Sequence, residues 1–201
     1  VTDLVETFIN IEGALEDRTR PVVQLASMGS ERGSQQTGFN LAWIGASILG
    51  KRVLLLTAIV PPPDELGSDG KPVDRTEVRI GGWAHGLIKV TGHEVYVGDV
   101  RGWRRRDGAM VSSAEIDRQL DELSTYFDMI VIAPPPLDRD PLGMVLARHA
   151  EGHVIVIEAE DTRRFAAVRL REILARSNRP IIGAILTNRR NYLPRWLARV
   201  L

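Results

Sequence analysis

The stretch Ser27-Met-Gly-Ser-Glu-Arg-Gly-Ser-Gln-Gln36 leads from an apolar run into a helical pattern and carries Gly29 and Gly33. Glycines in such a turn let backbone N–H groups close on an anion, and the helix that follows adds the positive end of its dipole. Gly33 is placed to offer an N–H, and Arg32 adds a charge beside it. The chemistry would be phosphate binding; the plainer reading is a strand-to-helix turn without a ligand. Ser34 has no histidine at a readable spacing to activate it as a nucleophile.

Other reactive residue types are sparse. His149 and His153 flank Glu151 at a four-residue separation, which on a helix would aim two imidazoles at one metal ion. Gly152 and the apolar run from His153 end the helix between them, so both histidines are expected to be structural, and no metal site is expected. Asp138 and Asp140 follow Pro134-Pro-Pro136 and read either as a carboxylate pair or as loop caps around Arg139. Asp64, Asp69 and Asp74 lack the spacing of a calcium loop. Ser112 or Ser113 fits a helix N-cap. With no cysteine, thiolate metal sites, disulfides and cysteine nucleophiles are excluded.

Two basic segments remain. Arg101, Arg104, Arg105 and Arg106 surround Trp103 in an expected loop. Arg189, Arg190, Arg195 and Arg199 interleave with Tyr192, Leu193, Trp196 and Leu197, a short amphipathic pattern suited to an anionic inner-membrane face or an acidic partner. Residues 161–201 carry a net charge of +8 and residues 1–20 one of −3. The whole chain is neutral, with 26 basic and 26 acidic residues, which argues against a nucleic-acid binder. Only Lys51, Lys71 and Lys89 are lysines.

The elements that must position these residues follow from hydropathy. At 201 residues and 44% hydrophobic content the chain is read as one domain, 1–201. Residues 2–16 form an amphipathic helix on Leu4, Val5, Phe8, Ile11 and Leu15. Strands are expected at Pro21–Ala26, Arg52–Val60, His93–Val97, Met129–Ile132, His153–Ile157 and Ile181–Leu186. Helices are expected at Thr37–Leu49, Ser113–Tyr126, Leu142–His149 and Thr162–Ser177. Ser27–Gln36 is read as loop, Pro61–Val78 as a Pro/Gly/Asp-rich surface loop, Val78–Leu87 as a short strand or helix, and 187–201 as the basic tail. Continuous apolar strands alternating with helices predict a three-layer α/β/α domain with a mostly parallel sheet. The loops after Leu25, Leu56 and Ile132 should then meet at the carboxyl ends of the strands, where such folds bind ligands. No run is long and apolar enough to span a membrane as a helix. Val1–Glu6 has no signal-peptide pattern, and a start without Met suits a trimmed or partial chain.

In this order and spacing, several segments resemble the cytoplasmic P-loop domain of bacterial tyrosine autokinases of polysaccharide export, relatives of the MinD/ParA ATPases. They are the Ser27–Ala42 loop and helix, Arg52-Val-Leu-Leu-Leu, Phe127-Asp-Met-Ile-Val-Ile with its prolines, Glu158-Ala-Glu-Asp-Thr-Arg and the Thr187–Leu197 ending. The resemblance covers essentially the whole chain and implies the P-loop NTPase fold of MinD/ParA type. The departures fall on the chemistry. Ser30-Glu-Arg-Gly-Ser-Gln-Gln36 stands where that family reads Pro-Gly-Glu-Gly-Lys-Ser-Thr, so Ser34 replaces the phosphate-binding lysine and Gln35 the metal-binding hydroxyl, with Gln36 following. Thr57-Ala-Ile59 replaces Asp-x-Asp, and Ala133 replaces the aspartate after the third strand. On the first helix, Glu6, Ile9 and Glu12 stand where the family's ring motif has Glu and two arginines, so that ring is not expected. Tyr192 is the only tyrosine after Tyr126, so the tail lacks a tyrosine cluster.

Phosphoryl transfer rests on positioning and charge stabilisation by the lysine and metal lost here. The resemblance therefore implies a catalytically degenerate domain with no cofactor, its pocket (Gly29, Arg32, Gly33, Ser34, Gln35, Gln36, Thr57, Ile59, Ala133) vestigial. It would act as a scaffold or regulator of exopolysaccharide biosynthesis or export, cytoplasmic and peripheral to the inner membrane. Its partner would be a membrane polysaccharide co-polymerase or another export-machinery protein, contacted through Arg189, Arg190, Tyr192, Arg195, Trp196 and Arg199. The alternatives are a divergent autokinase or ATPase that still binds ATP and Mg²⁺, and a MinD/ParA-like positioning protein.

Overall fold

A computed structural model describes residues 2–29, 32–58, 75–80, 83, 86–90, 92–159 and 162–187, with the side chains of Thr2, Arg32, Arg75 and Thr76 outside that set. Ile59, the loop holding Asp64, Asp69 and Asp74, and the tail residues Arg189, Arg190, Tyr192, Arg195, Trp196 and Arg199 lie outside the described residues.

Three five-residue strands, β1 (Val22–Ala26), β2 (Val53–Thr57) and β6 (Met129–Ala133), are buried along their whole length. Unbroken apolar runs of this kind need cover on both faces, and a parallel sheet provides it. The remaining strands are β3 (Arg75–Val78), β4 (Leu87–Val90), β5 (Val95–Asp99), β7 (Gly152–Glu158) and β8 (Ile181–Thr187). They assemble in the order β3-β4-β5-β2-β6-β1-β7-β8. Pairing is parallel from β5 through β8, and β3 and β4 close the opposite edge antiparallel. The register aligns Val53 with Met129 and Thr57 with Ala133, so β2 and β6 end level with one another.

Helix α1 (Thr2–Leu15) and α2 (Arg32–Ser47) cover one face, where Phe8, Ile11, Phe39 and Leu41 join Val23, Leu25, Val53, Leu55 and Val131. On the other face lie α3 (Ser113–Ser124), α4 (Leu142–Leu146) and α5 (Arg164–Ala175). There Ile116, Leu120 and Leu146 meet Leu54, Leu56 and Ile130, while Leu170 and Leu174 meet Ala26 and Ile155. This is the expected three-layer α/β/α arrangement. Ile9 is not part of the packed stripe of α1; it is 50% exposed. Among the described residues no helix is long and apolar enough to cross a membrane.

Several boundaries differ from expectation. α2 starts at Arg32 rather than Thr37, so Gly33, Ser34, Gln35 and Gln36 lie in its first turns and not in a loop. The strand expected from His93 runs over Val95–Asp99, and α4 ends at Leu146, leaving His149 in the following turn. A short 3₁₀ helix spans Val100–Trp103. Trp103 is fully buried: its indole N–H donates to Gln119 Oε1 at 2.8 Å, and its ring meets Trp83 edge-on. An aromatic so enclosed has no face on which a base would stack.

The remaining polar motifs have structural partners. His149 Nδ1 lies 2.9 Å from Asp117 Oδ1 and Nε2 lies 3.2 Å from Ser113 Oγ, while His153 Nε2 bonds Ser177 Oγ at 2.8 Å. The two histidines thus face different elements, and among the described residues no group of three or more His, Asp or Glu side chains is placed to hold a metal. Ser112 Oγ caps α3 by accepting from the Glu115 N–H at 3.2 Å. Asp138 and Asp140 are loop caps: Asp138 Oδ1 accepts from the Gly29 N–H at 3.1 Å, and Asp140 Oδ1 accepts from the Leu142 N–H at 2.8 Å and pairs with Arg104.

Candidate functional site

Parallel pairing brings the carboxyl ends of β1, β6, β2 and β7 to one edge of the domain, and the loops after Leu25, Leu56 and Ile132 start there as expected. The amino end of α2 sits over this row. Its approach depends on Gly38, where a Cβ would lie 2.9 Å from Leu55 Cδ1 and 3.3 Å from both Ala133 Cβ and Leu25 Cδ1. Side chains alternate along a strand, so Ser27 shares the α2-facing side with Leu25, and Thr57 shares it with Leu55. Ser27, Thr57 and Ala133 therefore form the floor beneath the first turns of α2.

Gly29 adopts φ +95°, a conformation that favours glycine, and its N–H is held by Asp138 across the site. Gly33 donates its N–H to Glu158 Oε1 at 3.1 Å. Ser34 is fully buried and its hydroxyl accepts from Ser27 Oγ at 3.1 Å. Gln35 keeps an Nε2 that is buried and meets no hydrogen-bond partner among the described residues, whereas Gln36 is exposed and donates to Asn40 Oδ1 at 3.2 Å along the helix. Thr57 is 1% exposed and its Oγ1 meets no hydrogen-bond partner among the described residues. Ala133 presents only a methyl group. Gly29, Gly33, Ser34, Thr57 and Ala133 thus gather at one place. Ile59 and the side chain of Arg32 lie outside the described residues.

The fold type implies a magnesium nucleotide, and the donor set does not fit one. Ser34, which the resemblance aligns with the lysine, is a small hydroxyl already tied to Ser27, and Thr57 and Ala133, which it aligns with metal-organising carboxylates, offer a hydroxyl and a methyl. A carboxylate at the Gly33 N–H repels a phosphate at the same place. Hard divalent ions take oxygen ligands, which the Ala133 side chain cannot supply. A separate cavity of about 550 Å³ lies at the opposite, amino end of the sheet, lined by Ile9, Glu12, Arg18, Lys51 and Asp128 among others. It has no part in this constellation.

Three participants were not legible as site residues: Ser27 as the partner of Ser34, Asp138 as the partner of Gly29, and Glu158 as the partner of Gly33. Glu158 lies 125 residues from Gly33 in sequence, and no spacing rule connects them.

No family model matches the chain. A 77-residue stretch, 38% of the chain, is 27% identical to the Staphylococcus aureus protein named "Putative tyrosine-protein kinase CapB", and spans about a third (34%) of that relative's length. Among solved structures, the BceF tyrosine kinase domain superposes with a TM-score of 0.65 at 17% identity, covering 91% of this chain and 75% of that one. The kinase domain of the Escherichia coli tyrosine kinase ETK gives 0.67 at 12% identity, covering 94% and 77%. The Pyrococcus furiosus cell division ATPase MinD gives 0.60 at 16% identity, covering 90% and 79%. The chain has the P-loop NTPase fold shared by bacterial tyrosine-kinase domains and MinD-type ATPases.

Proposed function

We propose that this chain is a catalytically silent tyrosine-autokinase-like domain that acts as a scaffold or regulator in bacterial exopolysaccharide biosynthesis or export. The observation that carries the reading is Ser34: at the position of the phosphate-binding lysine stands a fully buried hydroxyl bonded to Ser27, with Thr57 and Ala133 on the floor below. Losing one partner of a close charged pair costs about 2–5 kcal/mol, and here the cation and the metal anchorage are lost together, which leaves little affinity for a nucleotide and no route to turnover. The retained fold supports a role carried by surfaces. The pathway rests on the likeness to tyrosine-kinase domains, and so does the partner, a membrane polysaccharide co-polymerase or another export-machinery protein. The domain would work on the cytoplasmic side, peripheral to the inner membrane, with the basic tail as its contact.

Calorimetric titration with Mg-ATP and Mg-ADP into the millimolar range tests the silent site: folded protein giving no saturable heat supports it, and saturable binding with phosphate release sinks it. Affinity capture that recovers no envelope or polysaccharide-machinery protein would count against the pathway.

One observation favours a rival, a divergent nucleotide-binding autokinase or ATPase. α2 still begins at Arg32, so its first N–H groups remain at the carboxyl ends of the strands. Phosphate release above that of a Gly33→Asp control is the outcome that reading requires.

A further inference from the structure

The amino end of α2 is already occupied, and the occupant belongs to the chain. Glu158, the last residue of β7, is 7% exposed and accepts from the Gly33 N–H. Its backbone is pinned by Thr162: the Glu158 N–H donates to Thr162 Oγ1 at 3.1 Å, and the Thr162 N–H donates to Glu158 O at 2.9 Å. The side chain thus leaves a fixed root and reaches the first turn of a sixteen-residue helix. The fit is close. A Cβ at residue 33 would lie 2.5 Å from Glu158 Oε1 and 2.6 Å from its Cγ, so the contact exists only because that residue is glycine. Beneath the same turn, Thr57 Oγ1 is buried and has no hydrogen-bond partner among the described residues.

A carboxylate at this point does what a phosphate oxygen would do: it accepts from a backbone N–H and sits at the positive end of the helix dipole. Two anions cannot share the place without strong repulsion, and an intramolecular group is present at high effective concentration. We infer that Glu158 is a built-in anion that closes the phosphate position of this fold and holds the first turn of α2 in its occupied form without a ligand. The inference rests on the reading that the nucleotide chemistry of the site is lost, and adds what took its place.

The test compares the full chain as wild type, Glu158→Ala and Glu158→Gln, titrated with pyrophosphate and with Mg-ATP, while the Gly33 amide is followed by NMR and hydrogen exchange. Glu158→Gln keeps an acceptor without the charge and serves as the folded variant should alanine unfold the domain. The wild type should bind neither probe in the millimolar range. Glu158→Ala should bind pyrophosphate saturably within the millimolar range, at least about fivefold tighter than the limit set for the wild type, since one charge at a helix terminus supplies a factor of that order, with Glu158→Gln between. Without ligand, the Gly33 amide should exchange faster in Glu158→Ala, and on titration its resonance should move. A silent wild type with equally silent variants, or an unchanged Gly33 amide, overturns this inference alone. Saturable Mg-ATP binding by the wild type overturns it together with the reading of a silent enzyme.

Discussion

The ring of Phe8 lies on the backbone of Gly45, so close that a Cβ at residue 45 would stand 2.4 Å from Phe8 Cε2 and 2.9 Å from Val53 Cγ2. This contact sets how near α1 comes to α2, and through α2 how α1 is seated over β2. In an exposed helix, Gly→Ala would stabilise by about 1 kcal/mol. Here crowding in a closed core, worth about 1–3 kcal/mol, opposes it. Gly45→Ala should therefore lower stability in urea unfolding. With Phe8→Ala the cost of the second substitution should shrink, leaving the propensity gain set against the remaining contact with Val53. Additive effects of the two changes would rule the contact out as the cause.

At the amino ends of the strands, Glu151 is buried and accepts from Arg179 at 2.6 Å and from Thr19 Oγ1 at 3.2 Å, with Arg20 Nε at 3.5 Å. Arg20 also reaches Asp117 Oδ1 at 3.0 Å. Removing the carboxylate takes the partner from the partly exposed Arg179 and leaves the buried Arg20 with Asp117 and Asp121, a loss of charged hydrogen bonds that costs about 1.5–3 kcal/mol. Glu151→Ala should lower the unfolding free energy by that order, measured by denaturant titration at neutral pH. A loss within experimental error would mean that the network is solvent-screened.

Burial, with Arg179 adding to it, lowers the pKa of His153 from 6.5 to about 4. The native imidazole is neutral, and the unfolded chain takes up its proton first as pH falls. The contribution to stability is therefore complete above pH 6.5 and is lost between 6.5 and 4, at most about 3 kcal/mol. NMR titration of the His153 ring should give a midpoint near 4, and His153→Gln should flatten the stability profile over that window. A midpoint near 6.5 would contradict the assignment.

Restoring the missing lysine should not restore turnover. Ser34→Lys places a long cation where a buried hydroxyl now bonds Ser27, while Ala133, Thr57 and Glu158 stay as they are. Overpacking of this kind costs about 1–3 kcal/mol. The variant should be less stable and release no phosphate from Mg-ATP above background; turnover from this single change would mean that the other positions are dispensable.

The layers were legible because β1, β2 and β6 are short unbroken apolar runs between helical patterns. The start of α2 was not. Residues 32–38 hold two glycines, a serine and a threonine, whose propensities favour a loop; the helix there is stabilised by packing of Ser34, Thr37 and Gly38 on the strand ends. β3 and β4 were blurred because a four-residue antiparallel pair carries little periodic signal. Arginines surround Trp103 in sequence and mark only a loop, whereas the 3₁₀ turn carries the indole inward and leaves Arg101 on Asp99. The replaced positions Ser34, Thr57 and Ala133 were readable one by one. The acceptor opposite Gly33 was not, since only the crossover of the chain brings β7 to α2.

The T-shaped stack of Trp83 on Trp103, with ring centroids 5.1 Å apart at 90°, gives the protein an optical probe of its own. Both indoles are buried and held in one fixed mutual orientation, the arrangement that produces near-ultraviolet circular dichroism and is lost when side-chain packing melts while secondary structure persists. The pair, Trp83 and Trp103, flanks β4 and β5 in the chain, and the indole of Trp103 is tied to α3 through Gln119. Its dichroic band therefore reports whether the β4–β5 edge and α3 are locked together, without any label.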